Sequence, residues 1–336
     1  MISFSDNDYL GLSVHPQVIA ASIEATRRYG AGSGAARLVT GDNPLNEKLE
    51  ARIAGIKGMP AARVFGSGYL ANAGAIPALV GAGDLIVMDE LCHASMHAGA
   101  RLSGARIQTF PHNNVASAAH FLQQRDATSH ALLLTETVFS MDGDLAPLDE
   151  LATVAEDAGA WMLTDDAHGL GVIKQANRAP LQLGTLSKAA GAYGGYIAGP
   201  AKFVELLTSR ARTFVYATGL PPGVLAAALA ALDVMEADPG LGQKALANAR
   251  LFGSLIGQFD VESAIVPVRY GEADLAMQAS ARLAKQGFLV TAIRPPTVPA
   301  GTARLRFTFS ARHSEEDIRR LASLVLETLG EAGAAK

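Results

Sequence analysis

Lys188 stands in Gly184-Thr185-Leu186-Ser187-Lys188-Ala189-Ala190-Gly191, a stretch of small residues with no other charge. A lysine held in such surroundings is drawn out of solvent. Its amine then loses its proton more readily and becomes a nucleophile that can condense with an aldehyde. The plainer reading is a lysine snorkelling from a loop. Thr185 and Ser187 add hydroxyls that suit a nearby anion. A second cluster, Asp165-Asp166-Ala167-His168-Gly169, follows the apolar run Trp161–Thr164. Ionisable residues at the C-terminal end of a buried parallel strand face the crevice where α/β proteins bind ligands. An acid and a histidine three positions apart can address two atoms of one flat ligand. The competing reading is a helix-capping aspartate with a surface histidine.

Four further segments carry polar groups of interest. Gly66-Ser67-Gly68-Tyr69-Leu70-Ala71 joins an apolar strand to a helix, so its backbone N–H groups can hold a phosphate at a helix start. The same string fits G-x-G-x-x-A, with Asp89 placed 21 positions after Gly68. A nicotinamide dinucleotide site is therefore a rival, and a ligand-free tight turn is a third possibility. Glu136-Thr137-Val138-Phe139-Ser140-Met141-Asp142-Gly143-Asp144 ends another apolar strand and should line the same crevice. It lacks the ligand spacing of a calcium loop. His93 and His97 with Cys92 suggest a zinc helix, but the glutamate of H-E-x-x-H is missing. His93 at a strand–helix junction can instead stack on a flat ligand. Finally, the Pro-rich loop Ile293–Thr302 runs into Arg304-Leu305-Arg306. Strand alternation puts both arginines on one face, where one can grip a carboxylate; an exposed strand face is the alternative.

Short apolar runs alternate with helix patterns and must position these groups. Strands are expected at Arg63–Phe65, Leu85–Met88, Ile107–Phe110, Ala131–Thr135 and Trp161–Thr164. Helices are expected at Pro16–Tyr29, Asn43–Lys57, Tyr69–Val80, Leu148–Ala158 and Pro222–Ala237. Strands separated by helices imply βαβ units and a mostly parallel sheet. After Asp238-Pro239-Gly240 the texture becomes α+β: helices over 243–259, 272–286 and 314–329, and strands over 264–269, 288–293 and 304–309. The expected organisation is a short N-terminal segment over 1–12, a large α/β domain over 13–238 and a small α+β domain over 239–336.

Of the 336 residues, 49% are apolar and 18% charged, with a net charge of −4. Such a chain buries a large core and has no global basic field to hold nucleic acid. One cysteine excludes an internal disulfide framework. No run suits a signal peptide or a membrane span, so a cytoplasmic location is the expectation, with neither nucleic acid nor membrane as a partner.

Together these groups describe one device. A lysine meets an aldehyde, an acid a ring nitrogen, a histidine a ring substituent, a glycine turn a phosphate and an arginine a substrate carboxylate. Pyridoxal 5'-phosphate (PLP) has all those handles. A dehydrogenase would leave Lys188 and the Asp165/His168 pair unexplained.

Nearly the whole chain resembles the α-oxoamine synthases, fold-type I PLP enzymes that join an amino acid to an acyl thioester. The resemblance rests on Asn7-Asp8-Tyr9-Leu10-Gly11-Leu12, His93-Ala94-Ser95, Phe139–Asp144, Asp165–Gly169, Gly184–Lys188 and the Arg294–Arg306 loop. It implies that Lys188 holds PLP, Asp165 pairs with the pyridine nitrogen, His168 with the 3-hydroxyl, and that His93 stacks on the ring. It places the phosphate on Gly68, Tyr69 and Thr185, with Thr218 reaching across to the partner subunit of a homodimer with shared active sites. Asn7, Ser140 and Arg306 would surround the amino-acid carboxylate. The loop and the D-D-A-H-G form resemble members that use L-alanine with pimeloyl-CoA or pimeloyl-acyl carrier protein. Members that use glycine, and a non-catalytic PLP-binding homologue, are the alternatives. The chain departs from the family in three places. Only six residues precede Asn7, Lys188 follows Asp165 by only 23 positions, and Asn46 stands where relatives often carry histidine.

Overall fold

Proline starts and glycine stops delimit the first helices. Pro16 opens α1 (Pro16–Tyr29) and Pro44 opens α2 (Pro44–Lys57), each at a position whose N–H has no helical partner. Asn43 caps α2 by accepting from Leu45 N, and Gly58 ends it with φ 61°, a left-handed conformation. The computed structural model describes residues 1–126 and 128–334. A two-residue strand, β1 (Ile2–Ser3), precedes these helices. Strands and helices then alternate: β2 (Ala61–Phe65), α3 (Gly68–Leu79), β3 (Leu85–Asp89), α4 (Ala94–Ser103), β4 (Arg106–Phe110), α5 (Val115–Gln123), β5 (Ala131–Glu136), α6 (Leu148–Asp157), β6 (Trp161–Asp165) and β7 (Leu181–Thr185). Next come β8 (Gly195–Gly199), α7 (Ala201–Arg210), the single turn α8 (Arg212–Val215) and α9 (Pro222–Ala237). The chain finishes with α10 (Gly240–Leu255), β9 (Ile265–Gly271), α11 (Ala273–Lys285), β10 (Phe288–Leu289), β11 (Thr291–Ile293), β12 (Ala303–Thr308) and α12 (Glu315–Ala334).

Seven strands form one sheet in the order β2-β8-β7-β6-β5-β3-β4. The five from β7 to β4 run parallel, and β8 is antiparallel to both its neighbours. Burial on both faces explains the unbroken apolar runs. In β3, Ile86 and Met88 pack with α3 and α4, whereas Leu85 and Val87 pack with α5 and α6. The polar residues Asp89, Glu136, Asp165 and Thr185 all lie at the C-terminal ends of these strands, where apolar cover gives way to the crevice.

A three-stranded antiparallel sheet, β11-β12-β9, carries the two arginines. Every residue of β12 is buried. Ala303, Leu305 and Phe307 join an apolar core with α10, α11 and α12. Arg304 and Arg306 alternate onto the other face, as expected. That face is covered by the Phe139–Asp144 loop and the N-terminal segment, so it is not an exposed strand face. The first residues of the chain also belong to this end of the molecule. β1 pairs in parallel with β10, and the fully buried Phe4 packs edge-on against Phe288 and Phe309 at 5.8 and 5.5 Å between centroids. Among the described residues no helix is long and apolar enough to cross a membrane.

Candidate active site

Lys188 lies on the tight turn between β7 and β8. Leu186 N donates to Gly194 O at 2.9 Å and Gly191 N to Lys188 O at 2.8 Å. Gly191 has φ +60°, and a Cβ there would collide with the backbone of Leu12 and Ser13. The residue must be glycine for the lysine turn to seat against the N-terminal segment. Among the described residues Lys188 has no acid within ion-pair distance; its Nζ lies 2.7 Å from His168 Nε2. Burial lowers its pKa from 10.5 to about 8, reinforced by Arg306 and only partly offset by Asp165 and Glu136.

Asp165 is held by two donors. Asn72 Nδ2 donates to Oδ2 at 2.8 Å and Ala167 N to Oδ1 at 3.0 Å. Asn72 also donates to Ser95 Oγ at 3.0 Å, and Ser95 Oγ lies 2.7 Å from His93 Nδ1. His93 is the N-cap of α4, accepting from Ser95 N, so its ring is anchored by the helix start. Partial desolvation lowers its pKa, with Asp165 opposing and Lys188 and His97 assisting. His168 is buried, and its pKa falls well below the usual value because of burial and then Lys188 and Arg306. It is therefore a neutral imidazole at physiological pH. Glu136 sits in register beside Asp165 on the neighbouring strand. Burial first, and then Asp165, raises its carboxyl well above the usual range, since two adjacent buried carboxyls do not both ionise.

Of the two arginines, Arg306 has no acidic partner among the described residues. Its guanidinium donates to Ser140 O and, at 3.2 Å from both Nη atoms, to Asn7 Oδ1. Both acceptors are neutral. Arg304 is different: Asp142 already pairs with it, Nη1 lying 2.5 Å from Oδ1. A buried cation without an anion is poised for one from outside. Arg306→Ala is expected to raise the KM for a carboxylate substrate by about 10²-fold, the loss of charge-assisted bonds. Arg304→Ala should leave that KM near wild type. Steady-state kinetics on both variants checks the contrast.

An anion cradle forms at the start of α3. Gly68 and Tyr69 occupy the first turn, where helix geometry leaves N–H groups unpaired, and Ser67 Oγ caps Leu70 N at 3.1 Å. Thr185 borders it: a Cβ added to Gly68 would stand 3.4 Å from Thr185 Cβ. The Thr185 hydroxyl donates to Gly194 O, and Ser187 Oγ lies 2.8 Å from it. Asp89 does not serve a dinucleotide. Fully buried, its carboxylate accepts from Leu91 N and Asn113 N at 2.8 Å each and pairs with His112. Nothing is left for a ribose, and the rival reading of the glycine string loses its acidic partner. Cys92 is buried, its thiol 3.6 Å from Leu134 O.

Two hydrogen-bonded groups result: Lys188 and His168 join Asn7, Arg306 and the Ser140 carbonyl through Tyr9, and Asp165 joins His93 through Asn72 and Ser95. Lys188 feels the charge of both Asp165 and Arg306, and Gly68, Tyr69 and Thr185 lie together at the start of α3. Thr218 stands apart. It forms an isolated bridge with Ala36, between segments that expose Leu38, Val39 and Tyr216. Three contributors were not singled out from the sequence. Asn72 is a lone amide in an Ala-rich helix, Tyr9 lies inside a quoted motif, and Glu136 closes a strand.

The Phe139–Asp144 loop is braced by His112. Its Nε2 lies 2.6 Å from Asp144 Oδ2 and its Nδ1 3.1 Å from Asp89 Oδ1. Burial opposes the charge, but bonds to Asp144 and Asp89 prevail and raise its pKa from 6.5 to about 10. A raised folded pKa contributes stability that is complete below pH 6.5 and lost as pH climbs through about 10. Denaturant unfolding of His112→Gln is expected to show a deficit against wild type at pH 6 that shrinks towards pH 10.

The family model for aminotransferase class I and II matches residues 1–325. The chain belongs to that family. Within it, the chain is 56% identical over 334 residues to the 8-amino-7-oxononanoate synthase of Methylobacterium nodulans, covering 99% of this chain and 88% of that protein. It is 53% identical over 338 residues to the 8-amino-7-oxononanoate synthase of Granulibacter bethesdensis, covering 98% and 88%. Among solved structures, serine palmitoyltransferase of S. paucimobilis with bound PLP–myriocin aligns with TM-score 0.95 at 29% identity, covering 99% of this chain and 88% of that one. The 8-amino-7-oxononanoate synthase of Francisella tularensis aligns with TM-score 0.84 at 25% identity, covering 98% of each chain. The class I and II membership fits the architecture: a fold-type I sheet, mostly parallel, with helices on both faces.

The residues present fit PLP. A partly desolvated amine is available to an aldehyde, an acceptor-only Asp165 oxygen pair to a pyridinium, a neutral imidazole to a hydroxyl and a helix start to a phosphate. Two buried oxygens beside them, Asn72 Oδ1 and Glu136 Oε1, have no partner among the described residues. Unpaired polar atoms at the wall of a crevice mark a surface built to meet a polar ligand.

Proposed function

We propose that the chain condenses L-alanine with a pimeloyl thioester, on coenzyme A or acyl carrier protein, to give 8-amino-7-oxononanoate, CO2 and the free thiol carrier, a step of biotin biosynthesis. Full-length similarity to 8-amino-7-oxononanoate synthases supports the substrates. The observation that carries the chemistry is the buried Lys188 amine, 2.7 Å from His168 Nε2 and under the charge of both Asp165 and Arg306, the latter having no acidic partner among the described residues. Bound PLP supplies an electron sink for charge released at the amino-acid Cα.

The protein's own groups do the rest. Lys188 would hold the cofactor's aldehyde carbon and serve as the base for the Cα proton; a pKa of about 8 leaves a substantial neutral fraction near neutral pH. Asp165 keeps a proton on the ring nitrogen, because an adjacent anion favours the charged heterocycle. His168 would hold the 3-oxygen, and His93 would cover the ring. Gly68, Tyr69 and Thr185 bind the phosphate. Arg306, with Asn7 and Ser140, fixes the carboxylate so that the Cα–H bond points at Lys188, an orientation effect. Thr218 completes the phosphate site of a partner subunit in a homodimer. The exposed Leu38, Val39 and Tyr216 beside it support an interface there.

Initial rates with alanine and glycine, each against pimeloyl-CoA and acetyl-CoA, test the reading. The alanine–pimeloyl pair is expected to dominate. Preference for glycine with acetyl-CoA would assign the chain to 2-amino-3-ketobutyrate ligase chemistry. PLP uptake without CO2 release would make it a binding protein.

A further inference from the structure

We infer that Tyr9 is a positioning residue that makes the proton on His168 respond to whether Arg306 holds a carboxylate. The inference rests on the proposed roles of His168 and Arg306. Tyr9 is fully buried, and its hydroxyl lies 2.6 Å from His168 Nδ1 and 3.1 Å from Asn7 Oδ1. The same Asn7 oxygen accepts from both Nη atoms of Arg306. His168 Nε2 in turn faces Lys188 Nζ. An unbroken chain thus runs Arg306–Asn7–Tyr9–His168–Lys188.

The chain has fewer hydrogens than acceptors. Tyr9 owns one hydroxyl hydrogen and must choose between Asn7 and His168. A neutral His168 also owns one N–H. When Tyr9 donates to His168 Nδ1, the imidazole proton sits on Nε2, facing Lys188. When Tyr9 donates to Asn7, Nδ1–H donates to the tyrosine oxygen and Nε2 becomes an acceptor. The choice is set by how heavily Asn7 Oδ1 is already loaded. In this structure two guanidinium N–H groups point at it. A carboxylate on Arg306 draws those hydrogens away and leaves Asn7 Oδ1 the better acceptor for Tyr9. Occupancy of the arginine is thereby expected to turn His168 Nε2 from donor to acceptor. Lys188, His93 and Arg306 also act on His168 electrostatically, and Asp165 lies three positions before it, but only Arg306 is hydrogen-bonded into the chain on the Tyr9 side.

Propionate, a carboxylate with no amine to react, is the probe. The ratio of visible to near-ultraviolet absorbance of the PLP-loaded protein reports where a proton sits beside the ring. Saturating propionate is expected to change that ratio by about fivefold, the low end of ordinary coupling between sites. In Tyr9→Phe the change should vanish while propionate still competes with L-alanine. No change in the wild type, or an equal change in Tyr9→Phe, overturns the inference. Should the variant fail to fold, nitrogen-15 NMR of the wild type decides. The Nδ1 and Nε2 shifts of His168, assigned by their loss in His168→Asn, must exchange character on adding propionate, and unchanged shifts refute the relay. A protein showing no visible band with PLP refutes the cofactor reading instead; the ring-nitrogen shifts of His168 still report the relay in that protein.

Discussion

Lys188→Ala is expected to lower turnover by about four orders of magnitude, the upper range for losing a general base, and further through the lost attachment. Borohydride treatment of the wild type should leave a pyridoxyl group on Lys188, found by peptide mass mapping; the variant should carry none. The variant should fold. Lys188 makes one side-chain hydrogen bond, to His168, and its removal relieves an amine of partial burial. Retained turnover in a folded Lys188→Ala protein would remove the lysine from the chemistry.

The same residue predicts a pH profile. Only the neutral amine attacks an aldehyde, and burial sets its pKa at about 8. Capture of PLP by cofactor-free protein should therefore rise tenfold per pH unit, about the limiting slope of one titration, until it levels above pH 8. Stopped-flow absorbance measures it directly. A plateau displaced towards 10.5, the ordinary lysine value, would mean that the amine is solvated.

The legible parts of the site share a physical signature. Asp165 and His168 follow an unbroken apolar strand, so their polarity marks the sheet's carboxyl edge. Lys188 is the one charge in a run of small residues. Gly68 and Tyr69 sit at a strand–helix turn. What escaped depends on distance along the chain. Asn72 reaches Asp165 across 93 positions, and Tyr9 reaches His168 across 159. No local pattern encodes such pairs. The strands β7 and β8 were also missed. Leu181–Thr185 and Gly195–Gly199 hold one or two glycines each and few β-branched residues, so they lack strand character until the sheet buries them completely. Helices α4, α5 and α7, each only nine or ten residues long, also went unread. The segment read as one strand over 288–293 splits into β10 and β11, because each half pairs with a different partner.

Asp165→Asn separates charge from shape. The amide fills the same volume, and Ala167 N can still donate to its oxygen. Asn72 Nδ2, 2.8 Å from Oδ2, meets either an amide oxygen or a clashing NH2, so the side chain is expected to settle with its oxygen towards one donor only. The decisive loss is the anion. In the proposed role of Asp165, the ring nitrogen of bound PLP would then have no partner that favours protonation, and charge at Cα would lose its stabilisation. Removing electrostatic stabilisation of this kind costs about 10²–10³ in rate. Exchange of the alanine Cα proton with deuterated water, followed by NMR, isolates that step from acyl transfer. The variant should keep its colour and its borohydride-fixed pyridoxyl, because Lys188 is untouched, while exchange slows by that factor. The variant's effect on neighbours also has a sign. Glu136 loses the adjacent carboxylate that Asp165 supplies, one cause of its raised pKa, so it should titrate lower than in the wild type. Carboxyl infrared difference spectroscopy across the acid range would register that downward movement. Exchange at the wild-type rate would show that the Asp165 anion is not what sustains proton loss at Cα.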